Sequence, residues 1–369
     1  MQVPFLDLKK QYLNLKTEID AAIRDCIENT AFIQGKRVEK FEREFADYLE
    51  VKHVVGCSSG TCALFLALKV FGVGPGDEVI TASNSFIATS EAITMTGAKV
   101  IFADVSPINN NITPELAEKL ITDKTRAIIP VHLHGYPVDL NGFRVLAEKY
   151  GLKIIADSAQ AHGAKLDNVP IAQLADITTY SFYPGKNLGA FGDAGAVAFN
   201  DDDLLEYIKK ARNHGRAQKY IHDFEGYNMR MDEIQAAVLS AKLPFLADWI
   251  EKRRNLAARY DAVFKDVGDL ILPPGLSNET YAVYHLYAVE TAKRDQLKDY
   301  LSNSGIACGI HYPVPLPLQP AYSYLKMTSE QIPVAVDKSE KALSLPVYPE
   351  MTMEQQDYVI EKVKEFFSR

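Results

Sequence analysis

The strongest constraint on this chain is a rhythm. Over its first two-thirds, short apolar runs alternate with stretches of helical periodicity. Val54–Cys57, Glu78–Ala82, Val100–Phe102, Ala127–Pro130, Lys153–Asp157, Asp176–Ser181 and Gly195–Phe199 read as strands. Between several of them lie predicted helices: Cys62–Phe71, Phe86–Met95, Pro114–Leu120 with Thr113 as N-cap, and Leu140–Tyr150. Before the first strand, Tyr12, Leu15, Ile19, Ala22, Ile23, Cys26 and Ile27 fall at helical spacing, and Val38–Leu49 forms a second amphipathic stretch. Such alternation predicts βαβ units, hence an α/β fold with a mostly parallel sheet covered on both faces. A long helical pattern at Leu246–Phe264 breaks the rhythm. After it come a β-run (His285–Val289), a helix (Lys293–Asn303), a proline-rich segment and a terminal helix (Met353–Phe366). The expected division is a large α/β domain over 1–245 and a smaller α+β domain over 246–369, in keeping with roughly 150 residues per domain.

Composition narrows the function classes. A formal net charge of -8, with no run of five or six like charges, argues against nucleic-acid binding, which needs a basic stripe. The opening MQVPFLDLKKQY lacks a basic stretch followed by an apolar one, so no secretory signal is expected, and neither is a DNA-binding segment ahead of the first helix. The uncharged stretch Ser302–Leu325 holds four prolines and cannot span a membrane as a helix. Four cysteines, Cys26, Cys57, Cys62 and Cys308, are too few for a disulfide framework at this length. A soluble, reduced, cytoplasmic protein is expected.

Ligands of parallel sheets bind at the carboxyl ends of strands, and three polar signals sit there. Ser58-Ser59-Gly60-Thr61 joins a strand to a helix and offers backbone N–H groups and hydroxyls to a phosphate; the alternative is plain N-capping. It is not a Walker A sequence. Asp157 ends an apolar strand, where a carboxylate is desolvated unless it meets a cation or donor; the alternative is a turn cap. Lys186 lies between a strand and the glycine-rich run Gly189–Gly195, in a loop predicted to pack inward and lower its pKa, whereas most lysines are surface charges. With Phe86 as a possible ring cover rather than a core residue, these are the parts of a pyridoxal phosphate (PLP) site: a phosphate cradle, an acid for the pyridinium nitrogen, an amine for the Schiff base and an aromatic.

The sequence resembles the DegT/DnrJ/EryC1/StrS family of nucleotide-sugar aminotransferases, within the fold-type I (aspartate aminotransferase-like) PLP enzymes. The resemblance runs from VPFLDL through SSGTCAL, GDEVI, SFIATSEAI, GAKVIFADV, DSAQAHGA, SFYPGKNLGAFGDAGAV, RNHG and GYNMRMDEIQAAVL to IHYPVP. It implies that Lys186 forms the Schiff base, Asp157 pairs with the pyridinium nitrogen and Phe86 covers the ring. It further implies that Gln160 binds the cofactor's 3-hydroxyl and that Gly60, Thr61 and Ser181 hold its phosphate. Asn228 would reach the phosphate of a neighbouring subunit's cofactor, making the active unit a homodimer with shared sites. Lys186 places the chain on the transaminase side of the family rather than with relatives that carry histidine there and run dehydrations.

The resemblance also implies L-glutamate as donor and a nucleotide-linked keto-sugar as acceptor, in deoxyamino-sugar synthesis for lipopolysaccharide or another glycan. Lys219-Tyr220-Ile221-His222 looks like the branch that aminates C-3 of dTDP-3-keto-6-deoxyhexoses, and Lys219, Tyr220 and His222, with Tyr183 and His311, are the candidate sugar or nucleotide contacts. The alternatives are a C-4 aminotransferase acting on a UDP- or GDP-4-keto-6-deoxy sugar and a non-catalytic PLP-binding sensor. Pro317 stands where many relatives carry histidine, which weakens any sugar contact expected from that loop. His132 and His134, at strand spacing, form a possible metal pair with no evident third ligand, and metal binding is not expected.

Overall fold

The computed structural model describes residues 1–275 and 280–368. Alternate residues of the strand runs feed two separate cores, as a sheet buried on both faces requires. In β1 (His53–Cys57), Val54 packs into one core and Val55 and Cys57 into the other. In β5 (Lys153–Asp157), Ile154 and Ala156 oppose Ile155 in the same way. With β2 (Glu78–Ala82), β3 (Lys99–Ala103), β4 (Thr125–Ile129), β8 (Ile177–Ser181) and β9 (Gly195–Phe199), they form a seven-stranded sheet in the order β1-β9-β8-β5-β4-β2-β3. All pairings from β3 to β8 are parallel; β9 runs antiparallel to both β8 and β1. The chain is therefore an α/β protein with a mostly parallel sheet.

Helices Lys36–Leu49 and Leu140–Tyr150 cover one face, where Phe41 and Phe45 meet Phe182 edge-on. Helix Gly60–Val70 covers the other; Ala63 through Leu68 are all buried, because both sides of this helix meet protein. A third core gathers Leu256, Tyr260 and Phe264 of the helix Leu246–Phe264 with Tyr287 and Leu345 and with Val359 of the terminal helix. Smaller pieces are β6 (Lys165–Leu166), β7 (Val169–Pro170) and β12 (Thr280–Tyr281) in one ribbon, the pair β10 (Arg216–Gln218) and β11 (Ile221–His222), and the pair β13 (Tyr287–Glu290) and β14 (Ala342–Leu345).

Several boundaries shift for identifiable reasons. The helix after β1 starts at Gly60, not Cys62, since Ser59 caps it. The next helix is Ala88–Met95, which leaves Phe86 outside it and exposed. The first helical stretch divides at Leu15, whose φ of -119° is not helical. His132 and His134 are not on a strand. β4 stops at Ile129, before Pro130, which lacks an N–H for the ladder. The chain then turns, with His134 at φ 60°. Both histidines are buried, and burial lowers their pKa to about 3 and about 4. The Val138 N–H donates to Nδ1 of His132, so this nitrogen is already engaged by the backbone. Among the described residues no helix is long and apolar enough to cross a membrane, and all four cysteines are free.

Candidate active site

At the end of β1 the capping and phosphate-cradle readings describe the same residues. Ser59 is extended and its Oγ accepts from the Cys62 N–H at 3.1 Å, fixing the start of the helix. The N–H groups of Gly60 and Thr61 stand at that start, where no intrahelical acceptor exists and the helix dipole favours an anion. The close approach is enforced by glycine: a Cβ on Gly60 would lie 2.7 Å from Cβ of Ser181, at the end of β8. Ser181 Oγ in turn accepts from the Tyr183 N–H at 3.3 Å.

Asp157, closing β5, is buried. Its Oδ2 accepts from Thr89 Oγ1 at 2.7 Å and its Oδ1 from the Ala159 N–H at 3.1 Å. Thr89 shares a 2.8 Å bond with Ser85 Oγ. Burial pushes the Asp157 pKa up; Thr89, the Ala159 N–H and the charge of Lys186 pull it part of the way back. No cation is paired directly with Asp157 among the described residues, and a protonated ring nitrogen would supply one.

Lys186 sits in a loop locked by its own backbone: its N–H donates to Tyr183 O at 2.8 Å, and the Ala190 N–H donates to Phe182 O at 2.8 Å. The buried Lys242 ammonium fastens the loop from behind, donating to Gly189 O at 2.7 Å. Burial lowers the Lys186 pKa to about 8, with Asp157 opposing the shift. An amine in that range exists partly as the neutral nucleophile near neutral pH.

These groups open on one cavity of about 580 Å³. Lys186, Asp157, Gly60, Thr61 and Ser181 line it, as do Phe86, Gln160, Tyr183 and His311. Gln160 is held at both ends, accepting from the His134 N–H at 2.6 Å and donating to Tyr312 Oη at 3.1 Å. Phe86 and Tyr183 leave 56% and 60% of their surface uncovered, unusual for rings on a cavity wall and suited to a ring-shaped ligand or a second chain. His311 stacks on Phe5, and burial with the Lys186 charge lowers its pKa to about 4. An uncompensated buried acid, a lysine of lowered pKa, a glycine-tight helix start and uncovered aromatics together fit PLP.

Four predicted residues do not line the cavity. Lys219 lies in the turn between β10 and β11, with its ammonium over the ring of Tyr220, which is 82% exposed. His222 is exposed, with Nδ1 2.8 Å from His214 O. Asn228 is exposed and bridges to Asn213 through its backbone. Pro317 is buried in a short 3-10 turn, also away from the cavity.

Sequence reasoning missed Thr89, Tyr312, His285 and Arg253, all on the cavity wall. Thr89 carries a signal that could have found it, since it follows Phe86 by three residues in the same motif. His285 and Arg253 carry none, because the fold alone brings them in from the C-terminal third.

Comparison with known proteins gives consistent results. The sequence model described as the DegT/DnrJ/EryC1/StrS aminotransferase family matches residues 14–364. The chain is 45% identical to a "Pleiotropic regulatory protein" of Geobacillus stearothermophilus, covering 100% of this chain and 99% of the other. It is 43% identical to a dTDP-3-amino-3,4,6-trideoxy-alpha-D-glucose transaminase of Streptomyces venezuelae, covering 100% and 97%. Identity is 41% to a UDP-N-acetyl-3-dehydro-alpha-D-glucosamine 3-aminotransferase of Acidithiobacillus ferrooxidans, covering 96% and 95%. The crystal structure of S. venezuelae DesV in complex with a ketimine intermediate superposes with a TM-score of 0.97 at 42% identity, covering 100% of this chain and 99% of that one.

Proposed function

Because the chain belongs to the DegT/DnrJ/EryC1/StrS aminotransferase family, and is thus a PLP-dependent sugar aminotransferase, we propose that it moves an amino group from L-glutamate to the C-3 keto group of a dTDP-linked 3-keto-6-deoxyhexose. The product is a dTDP-3-amino-3,6-dideoxyhexose. One observation carries the position. The dTDP- and UDP-sugar relatives differ in nucleotide, yet their names agree on carbon 3. The UDP relative makes a UDP-3-keto sugar the second reading.

In this reading Gly60, Thr61 and Ser181 hold the cofactor phosphate, Asp157 the ring nitrogen, Gln160 the 3-hydroxyl, and Phe86 the ring face. PLP supplies, when bound, an electron sink that makes the hydrogen on the donor's amino-bearing carbon acidic. Lys186 Nζ does the proton work. Its lowered pKa lets it take a proton from that carbon in the first half-reaction, and in the second it returns one to the acceptor carbon that receives nitrogen. Thr89 and the Ala159 N–H favour the ionised form of Asp157 against the cost of its burial, which suits it to hold a positive ring nitrogen. Tyr183 and His311 are positioned at the cavity for the sugar. Lys219, Tyr220, His222 and Asn228 act on a neighbouring subunit's cavity, and their exposure in a single chain supports that assignment. A division at 245/246 belongs to the same proposal, supported by the separate core built on the helix Leu246–Phe264.

The test is product analysis. The purified enzyme, given glutamate and a panel of dTDP- and UDP-linked 3-keto and 4-keto sugars, is expected to place nitrogen at C-3 of the dTDP-3-keto-6-deoxyhexose, read by NMR. Nitrogen at C-4, with no turnover of 3-keto sugars, overturns the regiochemistry. Preference for UDP sugars overturns the nucleotide alone.

A further inference from the structure

His285 reaches the cavity wall from the link between β12 and β13. Its backbone is fixed against the turn at residues 134–135: the Val283 N–H donates to Gly135 O at 3.0 Å and the Leu286 N–H to His134 O at 3.3 Å. Its ring is fixed by Asn187, the buried neighbour of Lys186. The Asn187 amide is oriented by its own bond, since Nδ2 donates to Val283 O at 3.1 Å and leaves Oδ1 to face His285 Nδ1 at 3.2 Å. An amide oxygen only accepts, so the ring hydrogen sits on Nδ1. Burial and the nearby charges of Lys186 and Arg253 hold the His285 pKa well below its ordinary value, so the ring stays neutral. Nε2 is therefore a bare lone pair. It makes no hydrogen bond among the described residues and is not sealed in, so it opens on the cavity that His285 lines.

The polarity of that atom narrows its partner. Charged Lys186 and Arg253, on the same wall, can only donate, so a fixed neutral acceptor among them suits an incoming O–H or N–H group. The two substrates differ in this respect. The carboxylates of glutamate and 2-oxoglutarate carry no hydrogen at neutral pH and are repelled by a lone pair, and the amino group of glutamate is the one that reacts. A hexose instead carries hydroxyls on the carbons around its keto group. Each hydroxyl needs an acceptor once the cavity has stripped its water.

Resting on the keto-sugar reading above, we propose that Nε2 of His285 accepts a hydroxyl of the acceptor sugar, which makes His285 a specificity residue of the sugar half-reaction alone. Two holoenzyme variants separate this from a role through Asn187. His285→Asn keeps a donor at the Nδ1 position and removes the acceptor at Nε2, whereas His285→Gln does the reverse. The probe is dTDP-6-deoxyglucose, which has the hydroxyls but no keto group to react, with dTDP alone as reference. By calorimetry, His285→Asn is expected to weaken the probe about 5–30-fold and dTDP less than about twofold, and His285→Gln to recover most of the loss. The glutamate half-reaction of His285→Asn, followed by the cofactor's visible absorbance, should change less than about threefold. Equal losses in both half-reactions would place His285 behind Lys186 and overturn the proposal. Normal binding by His285→Asn, with His285→Gln defective, overturns it in favour of the tie to Asn187. The 2-, 3- and 4-deoxy forms of the probe give a check on the wild type: one of them should bind about 5–30-fold more weakly, and three that bind like the parent refute the proposal even if no variant folds. Nitrogen delivered to C-4 contradicts the regiochemistry above and leaves the hydroxyl bond to stand or fall on these binding measurements.

Discussion

The cavity wall at the ends of β1, β5 and β8 and the hairpin β10–β11 are built in opposite ways. On the wall each functional group is pinned by its own chain: Ser59 by the helix it caps, Asp157 by Thr89 and the Ala159 N–H, Lys186 by a loop closed on Tyr183 and Phe182. On the hairpin, Tyr220 is 82% exposed, and the Lys219 ammonium lies over the neighbouring ring. The wall is thus held within one chain, whereas the hairpin residues lean on little but each other. In the proposed reaction the wall serves the chemistry common to both half-reactions and the hairpin serves recognition of the sugar.

Substitutions should divide along that line. Lys186→Ala is the largest: turnover should fall about 10²–10⁴-fold or more in both half-reactions, with circular dichroism unchanged. Activity above about one per cent of wild type would break the comparison, since the pinned wall would then not be where the chemistry happens. Thr89→Ala comes next, at roughly 10–100-fold, because a buried carboxylate loses its shortest donor. Its sign is fixed by the balance at Asp157. Burial already raises that pKa and Thr89 is the leading influence holding it down, so removal raises it further and activity should fail at a higher pH on acidification. Thr89→Ser should restore the wild-type profile. Asn228→Ala should leave the isolated wall intact and loosen cofactor retention by roughly 2–10-fold, measured by dialysis and absorbance. A fully active monomer by light scattering under assay conditions would refute the shared site. Smallest, Tyr220→Phe and His222→Asn should slow the sugar half-reaction a few-fold and spare the glutamate one. Equal effects on both would place the hairpin with the wall.

The same line explains what could be read without a structure. The wall residues are close in sequence to the strands and helix starts that position them, so Ser58–Thr61, Asp157 and Lys186 announced themselves by type and place. The sheet was legible because strand and helix lengths alternate. The antiparallel turn of β9 was not, since Gly195–Phe199 is as apolar as a parallel strand. Arg253 and His285 were invisible because their place on the cavity depends on contacts across more than sixty positions from Lys186, and no local pattern encodes such an approach. His132 and His134 misled for the converse reason: spacing of two suggests a strand face, but Pro130 had already ended it.

The reversal of β9 has one more effect. Parallel neighbours must be joined by a long crossover, generally a helix laid over the sheet, whereas an antiparallel return needs only a short link. Residues 182–194 make that return without any helix. The loop that carries Lys186 therefore has no crossover helix of its own, and Tyr183 and Phe191 stay exposed on it. Its cover is borrowed from a later part of the chain, the helix Glu233–Lys242, whose Gln235 accepts from the Phe191 N–H and whose Lys242 donates to Gly189 O. The placement of the reacting amine thus answers to a helix about fifty positions downstream as much as to the strands that flank it.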